Sequence, residues 1–393
     1  MIYDCVIIGR GLIGSAAAKY MSNLKENVLL IGPCEETVLR QQIIYASHYD
    51  RARIQRIFGS DSVFTLLNQH SANQYSSIEK ESNVVFHSTE GCLYVNPYGI
   101  DSYLENIPQL SKEFSINFQS FDSGKSVNTF APDYHFPESA RGIFEEAPSG
   151  HINPRLLIHA QLTLFEINGG KLLNDTALEV SNENNEIKIT TLSGKVFYSK
   201  QVLLTPGAFV NFFNLMKRKM ALILKSETTI WAKTNANEAS RLSNLPALLY
   251  KLNEPQINDI YLIRPLQYPD RNFYLKMGAN FPDDLFFKNL TEIQEWFKNG
   301  GNENNLKVMK DALKQLIPTL LAENYFVKKC IVSYTTHGKP YIGEVDKNLF
   351  VAVGGNGYAA MSSDALGKIV ATLLINDSFP EEFFQEDFQP VFE

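Results

Sequence analysis

The feature that most restricts this chain lies at its start. Residues 3–8, Tyr-Asp-Cys-Val-Ile-Ile, make a short β-branched run that leads straight into Gly9-Arg10-Gly11-Leu12-Ile13-Gly14, followed by the helix-forming Ser15-Ala16-Ala17-Ala18-Lys19-Tyr20. A second apolar run, Val28-Leu29-Leu30-Ile31, closes the unit. The pattern predicts strand, glycine turn, helix and strand within about 30 residues. Such a unit physically makes a dinucleotide site. Gly9 permits the tight turn, Gly11 lets the backbone approach a pyrophosphate, and Gly14 lets helix and strand pack closely. The helix N-terminus, with Leu12 and Ile13 in its first turn, then offers free N–H groups and a positive dipole end to the phosphates. The plainer reading is a tight turn that holds no ligand. The complete strand-helix-strand context weighs against it.

One departure concerns the ribose. The acidic residue that usually ends the second strand is absent, because Gly32-Pro33 follow Ile31. Glu35 or Glu36, a few residues later, is the candidate to reach the ribose through the turn. Two further strands run into glycine turns: Gln201 to Leu204 before Thr205-Pro206-Gly207-Ala208-Phe209, and Asn348 to Val353 before Gly354-Gly355-Asn356-Gly357. Ser362 to Ile375 then reads as a helix. Three such turns so far apart predict one nucleotide domain assembled from discontinuous segments. The expected fold class is α/β: a Rossmann-like nucleotide-binding domain over residues 1–84, 145–215 and 331–393. Residues 85–144 and 216–330 are expected to form an α+β substrate domain with a largely antiparallel sheet. Residues 85–135 and 220–330 carry aromatic-rich alternating stretches such as Ile260-Tyr261-Leu262-Ile263 and Asn272-Phe273-Tyr274-Leu275-Lys276-Met277, and residues 304–323 read as an amphipathic helix.

Composition excludes several classes. The 393 residues carry 36 Lys+Arg against 43 Asp+Glu, a net charge of −7, and 44% are hydrophobic. That length predicts two or three domains with full-sized cores. The charges are mixed and not blocked, which argues against a nucleic-acid partner, since neutralising phosphates needs clustered Lys and Arg. Cys5, Cys34, Cys92 and Cys330 lie far apart with no Cys-x-x-Cys pair, so neither a metal site nor a disulfide framework is expected. A reduced, cytoplasmic setting fits. No signal peptide is read at the start, and no apolar segment reaches the roughly 18 residues of a membrane span. The ending Gln-Pro-Val-Phe-Glu carries no peroxisomal address.

Taken together these features resemble the flavin amine oxidases of the D-amino-acid-oxidase superfamily, in the branch of monomeric sarcosine oxidase and N-methyltryptophan oxidase. The resemblance covers nearly the whole chain. It rests on the N-terminal glycine fingerprint, Ser47-His48-Tyr49-Asp50-Arg51-Ala52-Arg53-Ile54-Gln55-Arg56, Gly150-His151-Ile152-Asn153-Pro154, Thr205 to Phe209, Tyr274-Leu275-Lys276-Met277-Gly278, and the block from Cys330 to Gly367, in that order.

The resemblance implies FAD, bound by the glycine turns together with Ser47, Arg53, Gly207 and Gly354 to Tyr358. It places Cys330 where sarcosine-oxidase-like enzymes join a cysteine to the flavin through a thioether. A thiolate suits that role, with Lys328 and Lys329 as cations that would favour it. The bland alternative is a small core residue. Arg53 and Arg56, three apart, would share one helix face. The family sets such arginines beside the flavin and the substrate, whereas by residue type alone they read as a solvated basic face with Arg51. Lys276 matches the family lysine that stands over the flavin and promotes reaction with oxygen, and a solvent-facing strand position is the other reading. Tyr261 matches an active-site tyrosine less closely. His48 is a candidate to select the neutral amine, or an ordinary structural donor.

The largest departure is Met361. The family run that begins at Gly354 ends in a lysine that pairs with the substrate carboxylate, and methionine stands there in this chain. Tyr358 and Asn280 replace histidines. A bulkier, less acidic amine than sarcosine fits that pocket better. The implied reaction oxidises the C–N bond of a primary or secondary amine, or an N-substituted amino acid, to an imine, with oxygen reduced to hydrogen peroxide. A flavin dehydrogenase using another acceptor and a non-catalytic flavin-binding subunit are the rivals. The expected partners are a small-molecule amine and oxygen, with no membrane, in a monomer or small homo-oligomer.

Overall fold

The computed structural model describes residues 2–183, 185–254, 256–299 and 303–393. Two large sheets divide the work. The first has eight strands. At its centre Ile2–Ile8 lies parallel to Val28–Ile31 on one side and to Val196–Leu204 on the other. Lys171–Leu173 extends the parallel order beyond Val28–Ile31, and Leu349–Val353 pairs parallel with the end of Val196–Leu204. The three strands that the sequence marks by their glycine turns are therefore neighbours, with their carboxyl ends side by side. All eight strands fall within the three segments expected to make the nucleotide-binding part.

The helix Leu12–Ser22 can cover this sheet closely because of its small residues. Ala16, Ala17 and Ala18 are fully buried, and a Cβ added at Gly14 would lie 1.9 Å from the carbonyl oxygen of Gly9 and 2.5 Å from Thr205 Oγ1. Gly9 itself has φ +118 and faces the Thr205 carbonyl, where a Cβ would sit at 2.3 Å. Only glycine satisfies both conditions. The helix packs on Ala359–Asn376, and between them lies a buried ion pair, Lys19 Nζ to Asp364 Oδ1 at 2.5 Å. Tyr20 Oη and Gln161 Nε2 donate to the same carboxylate at 2.7 and 3.3 Å, so its desolvation is offset by three donors.

The second sheet has nine strands and is antiparallel apart from the contact of Ala247–Glu254 with Cys92–Asn96. Its long strands, Leu222–Thr234, Ile257–Gln267, Phe273–Asn280 and Asn324–Thr335, contain the aromatic alternation seen in the sequence. Between residues 85 and 135 the strands are short, and the helices Ser102–Phe114 and Gly124–Phe130 take more of the chain than the alternation suggested. The helix expected over 304–323 runs as Glu303–Leu316. Pro318 ends it early, because the residue before a proline is pushed out of helical conformation. A third, three-stranded sheet joins Arg53–Gln55, Gly150–Ile152 and His87–Ser88. Arg53 therefore lies on a strand, and the expected shared helix face with Arg56 does not exist.

Removing Asp364 as a test of the helix pair, Asp364→Ala should strand Lys19 as a buried charge and cost about 3–5 kcal/mol. Urea unfolding of this variant beside the apolar double replacement Lys19→Met/Asp364→Leu measures it, the double variant being expected to recover most of the loss.

Candidate active site

The three glycine turns open onto one cavity of about 440 Å³. Ile8 to Ile13, Thr205 to Phe209 and Ala352 to Met361 form one side of it. The opposing wall comes from the antiparallel sheet and includes Glu227, Tyr261, Asn280 and Cys330 to Tyr334, while Ile44 to Tyr49, Arg53, Ile54 and Arg56 complete the lining.

At the nucleotide end the site is built from backbone. Leu12–Ser22 and Ala359–Asn376 both begin at the cavity, and no side chain caps either of them. Four helices that begin elsewhere carry their own caps: Asp61, Asp101, Ser123 and Asn153 each accept from the first turn of their helix. Two sets of unsatisfied N–H groups thus face one cavity, a setting that suits a pyrophosphate. Gly11, between them, has nothing within 4 Å of where a Cβ would stand, so a ligand can approach its backbone. These features fit FAD. Asn356, at φ 50, uses its side chain to hold the last turn, accepting from Thr335 N at 2.9 Å and donating to Gly354 O at 2.6 Å.

Neither Glu35 nor Glu36 is in the lining. Arg155 holds Glu35 at 2.5 and 2.8 Å, and Gly32, Pro33 and Val38 face the cavity in their place. The carboxylate that lines this end is Asp175, which follows the neighbouring strand Lys171–Leu173. Sequence reading missed it because its nearness to Ile31 depends on strand pairing across about 140 residues.

The other wall is organised by one carboxylate. Asp50 pairs with both Lys276 and Arg53, and Tyr268 donates to it at 2.9 Å. Burial alone would raise the Asp50 carboxyl, but Lys276 and Arg53 outweigh it and hold it far below the usual range. Lys276 is 1% exposed, also donates to Ala52 O at 3.0 Å, and lies behind the lining rather than in it, with its ammonium 5.1 Å from the Tyr261 ring centroid. Burial and the nearby Arg53 guanidinium bring it down to about 8, with Asp50 opposing. Two cations share one anion, which leaves a positive excess beside the cavity.

Cys330 lines the cavity as a free, half-buried thiol. The cation that reaches it is Arg53, whose Nη2 lies 3.9 Å from Sγ. The adjacent lysines point away: Lys328 sits over Trp231, and Lys329 donates to Phe297 O at 3.1 Å. Burial raises the thiol, with Arg53 opposing. Ser47 offers its carbonyl to Arg53 at 2.7 Å. His48 lines the cavity, and burial together with Arg155 and Arg53 pushes it down to about 3. It is therefore neutral across the working range, and its titration does not set which amine form binds, contrary to the expectation from its ordinary value.

Arg56 reaches Phe58 O at 2.7 Å, Tyr103 Oη, and Tyr358 Oη at 3.2 Å, while its Nε has no partner among the described residues. Tyr358 stacks on Phe64 with centroids 4.2 Å apart. Met361, 7% exposed, and Asn280 line the same cavity, and Asn280 donates to Asp259 at 2.5 Å and accepts from Lys225 at 2.8 Å. Glu227 completes this wall. It was not singled out in the sequence because a lone glutamate on a strand reads as solvent-facing, and only sheet register sets it opposite Cys330. Burial pushes its carboxyl up to about 7, against the pull of Lys225.

A cavity of this kind, bounded by glycine turns of a parallel sheet and by an antiparallel sheet, is that of a dinucleotide-binding protein. The chain belongs to the DAO family, FAD dependent oxidoreductase, which it matches over residues 4–373. It is similar to monomeric sarcosine oxidase from Arthrobacter sp. (strain TE1826), 25% identical over 53% of this chain and 52% of that protein. It is also similar to N-methyl-L-tryptophan oxidase from Salmonella typhimurium, 22% identical over 53% of this chain and 55% of that protein. The matched stretch spans about half the length of these curated relatives. Among solved structures, NikD, an unusual amino acid oxidase essential for nikkomycin biosynthesis, has TM-score 0.78 at 15% identity, covering 99% of this chain and 98% of that one. Glycine oxidase from Geobacillus kaustophilus has TM-score 0.75 at 16% identity, covering 98% of both. These likenesses establish the fold.

The raised Glu227 carboxyl gives a stability test. A group whose folded value lies above its unfolded value of 4.5 costs nothing below 4.5 and its full penalty above about 7. Glu227→Gln should therefore be more stable than the wild type by about 3 kcal/mol at pH 8, the advantage fading towards pH 4.5. Urea midpoints at the two pH values read it, and a difference that is the same at both would contradict the burial described.

Proposed function

We propose that the protein is an amine oxidase: it converts the C–N bond of a primary or secondary amine, or of an N-substituted amino acid, to an imine, while oxygen becomes hydrogen peroxide. The observation that carries this reading is the positive wall beside a nucleotide-fitted cavity, in which Lys276 and Arg53 share the single carboxylate of Asp50. Bound FAD supplies the two-electron redox chemistry. The chain's own residues orient, exclude water and hold charge. The free N–H groups at Gly11 to Ile13 and at Gly357, Ala359 and Ala360 would hold the cofactor's phosphates, Asp175 would take the ribose in place of Glu35 or Glu36, and Gly9, Gly14, Gly207 and Gly354 keep the turns open. The positive excess at Arg53 and Lys276 favours negative charge that develops at that wall.

On the substrate side, Arg56 and Tyr358, joined by a hydrogen bond of 3.2 Å, form a polar edge of the cavity that Tyr261 also lines. Met361 offers no charge where a carboxylate partner would be needed, so sarcosine is a poor candidate and a larger, less acidic amine is a better one. A covalent link through Cys330 belongs to this proposal, with Arg53 as the cation that stabilises the thiolate. Absorbance of the purified protein after acid precipitation tests it: yellow colour in the pellet is expected for the wild type and in the supernatant for Cys330→Ser.

A dehydrogenase reading is favoured by one observation, that the Lys276 ammonium turns to Asp50 and not into the cavity. Lys276→Met separates the two. An oxidase should lose reoxidation by oxygen by about 10²-fold or more while anaerobic flavin reduction by an amine is kept, and unchanged oxygen uptake would favour the dehydrogenase.

A further inference from the structure

Glu227 is 8% exposed and lines the cavity, yet no hydrogen bond reaches its carboxylate among the described residues. Its nearest cation, Lys225, stands 3.7 Å away and is already held by Asp284 at 2.6 Å and by Asn280 at 2.8 Å, while Arg53 and Lys276, which act on it from farther off, are both paired with Asp50. Buried carboxylates are ordinarily satisfied by donors, so this one is an acceptor awaiting a ligand. Its surroundings say which kind. Tyr261 and Tyr334 line the same cavity and both feel the Glu227 charge. A carboxylate beside two phenol rings is the environment that binds ammonium groups, through a charge-assisted hydrogen bond and the ring faces. Met361, in the same lining, offers no positive charge to an acidic substrate.

We propose that Glu227 is the specificity-determining residue of this cavity: with Tyr261 and Tyr334 it binds a second, non-reacting ammonium group, so that the preferred substrates are diamines. The inference rests on the amine-oxidising reading given above. Glu227 takes no part in the bond change. It fixes the distance between the held ammonium and the amine that reacts, and so selects chain length as well as charge.

The test uses the flavin-loaded enzyme, kept anaerobic so that turnover stops after one equivalent. Calorimetric titration at pH 8 compares butane-1,4-diamine, pentane-1,5-diamine and hexane-1,6-diamine, each against the monoamine of the same length. At least one diamine should bind the wild type about tenfold or more tightly than its monoamine. Glu227→Gln should bring that ratio to within about twofold, and Glu227→Asp should restore part of it with a shift in the preferred chain length. Equal affinities in the wild type, or a ratio that Glu227→Gln leaves unchanged, would overturn the assignment while amine-driven flavin bleaching keeps the functional reading intact. Flavin that no amine bleaches would overturn the functional reading and this assignment with it.

Discussion

The structure depends on a single close approach. The carbonyl oxygens of Gly9 and Thr205 come so near to Gly14 and Gly9 that no side chain fits at either glycine. That contact presses the first helix onto the parallel sheet and aims its uncapped N-terminus at the cavity. It also brings the ends of three strands from distant parts of the chain together, since Thr205 follows Val196–Leu204 and that strand pairs in turn with Leu349–Val353. A β-carbon at Gly14 would displace the helix, and with it the Lys19–Asp364 pair that fastens the C-terminal helix in place. Close packing at Gly9 and Gly14 thus fixes where the nucleotide end presents its backbone.

The opposite wall obeys electrostatics more than packing. Asp50 serves two cations, and Lys225 is drawn by Asp284 and Glu227. Ions this deeply buried cost several kcal/mol each unless paired, so sharing is tolerable only where further donors help. Tyr268 does so as a donor to Asp50, while the Ala52 carbonyl accepts from Lys276. Around Glu227 no equivalent donor is present among the described residues, and at Arg56 one guanidinium nitrogen is left over. Glu227 lines the cavity, where a ligand can make its shortfall good, whereas the Arg56 nitrogen is sealed from it. The polar group that the fold leaves incomplete at the cavity is the one available for binding.

Much of this was legible beforehand. The glycine spacing at residues 9–14, the three strand-to-glycine turns and the aromatic alternation of the long strands are local patterns, and local patterns follow from backbone sterics and side-chain period. Cys330, Arg53, Arg56, Tyr261, Met361 and Tyr358 were also readable, through the order of motifs along the chain, and all of them line one cavity. Lys276 was placed correctly on its strand, but its salt bridge to Asp50 was not visible, because the two are 226 residues apart.

What the sequence by itself determined is the long strands and the nucleotide-binding turn, since a backbone that must pass within contact distance of another carbonyl admits only glycine. What tertiary structure alone decided is which charges meet. Glu35 was withdrawn by Arg155, Asp175 came forward in its place, Lys328 and Lys329 turned away from Cys330, and Glu227 was set beside it. Coulombic partnership depends on distance and burial across strands that are far apart in the chain. Neither quantity exists until the sheets have paired.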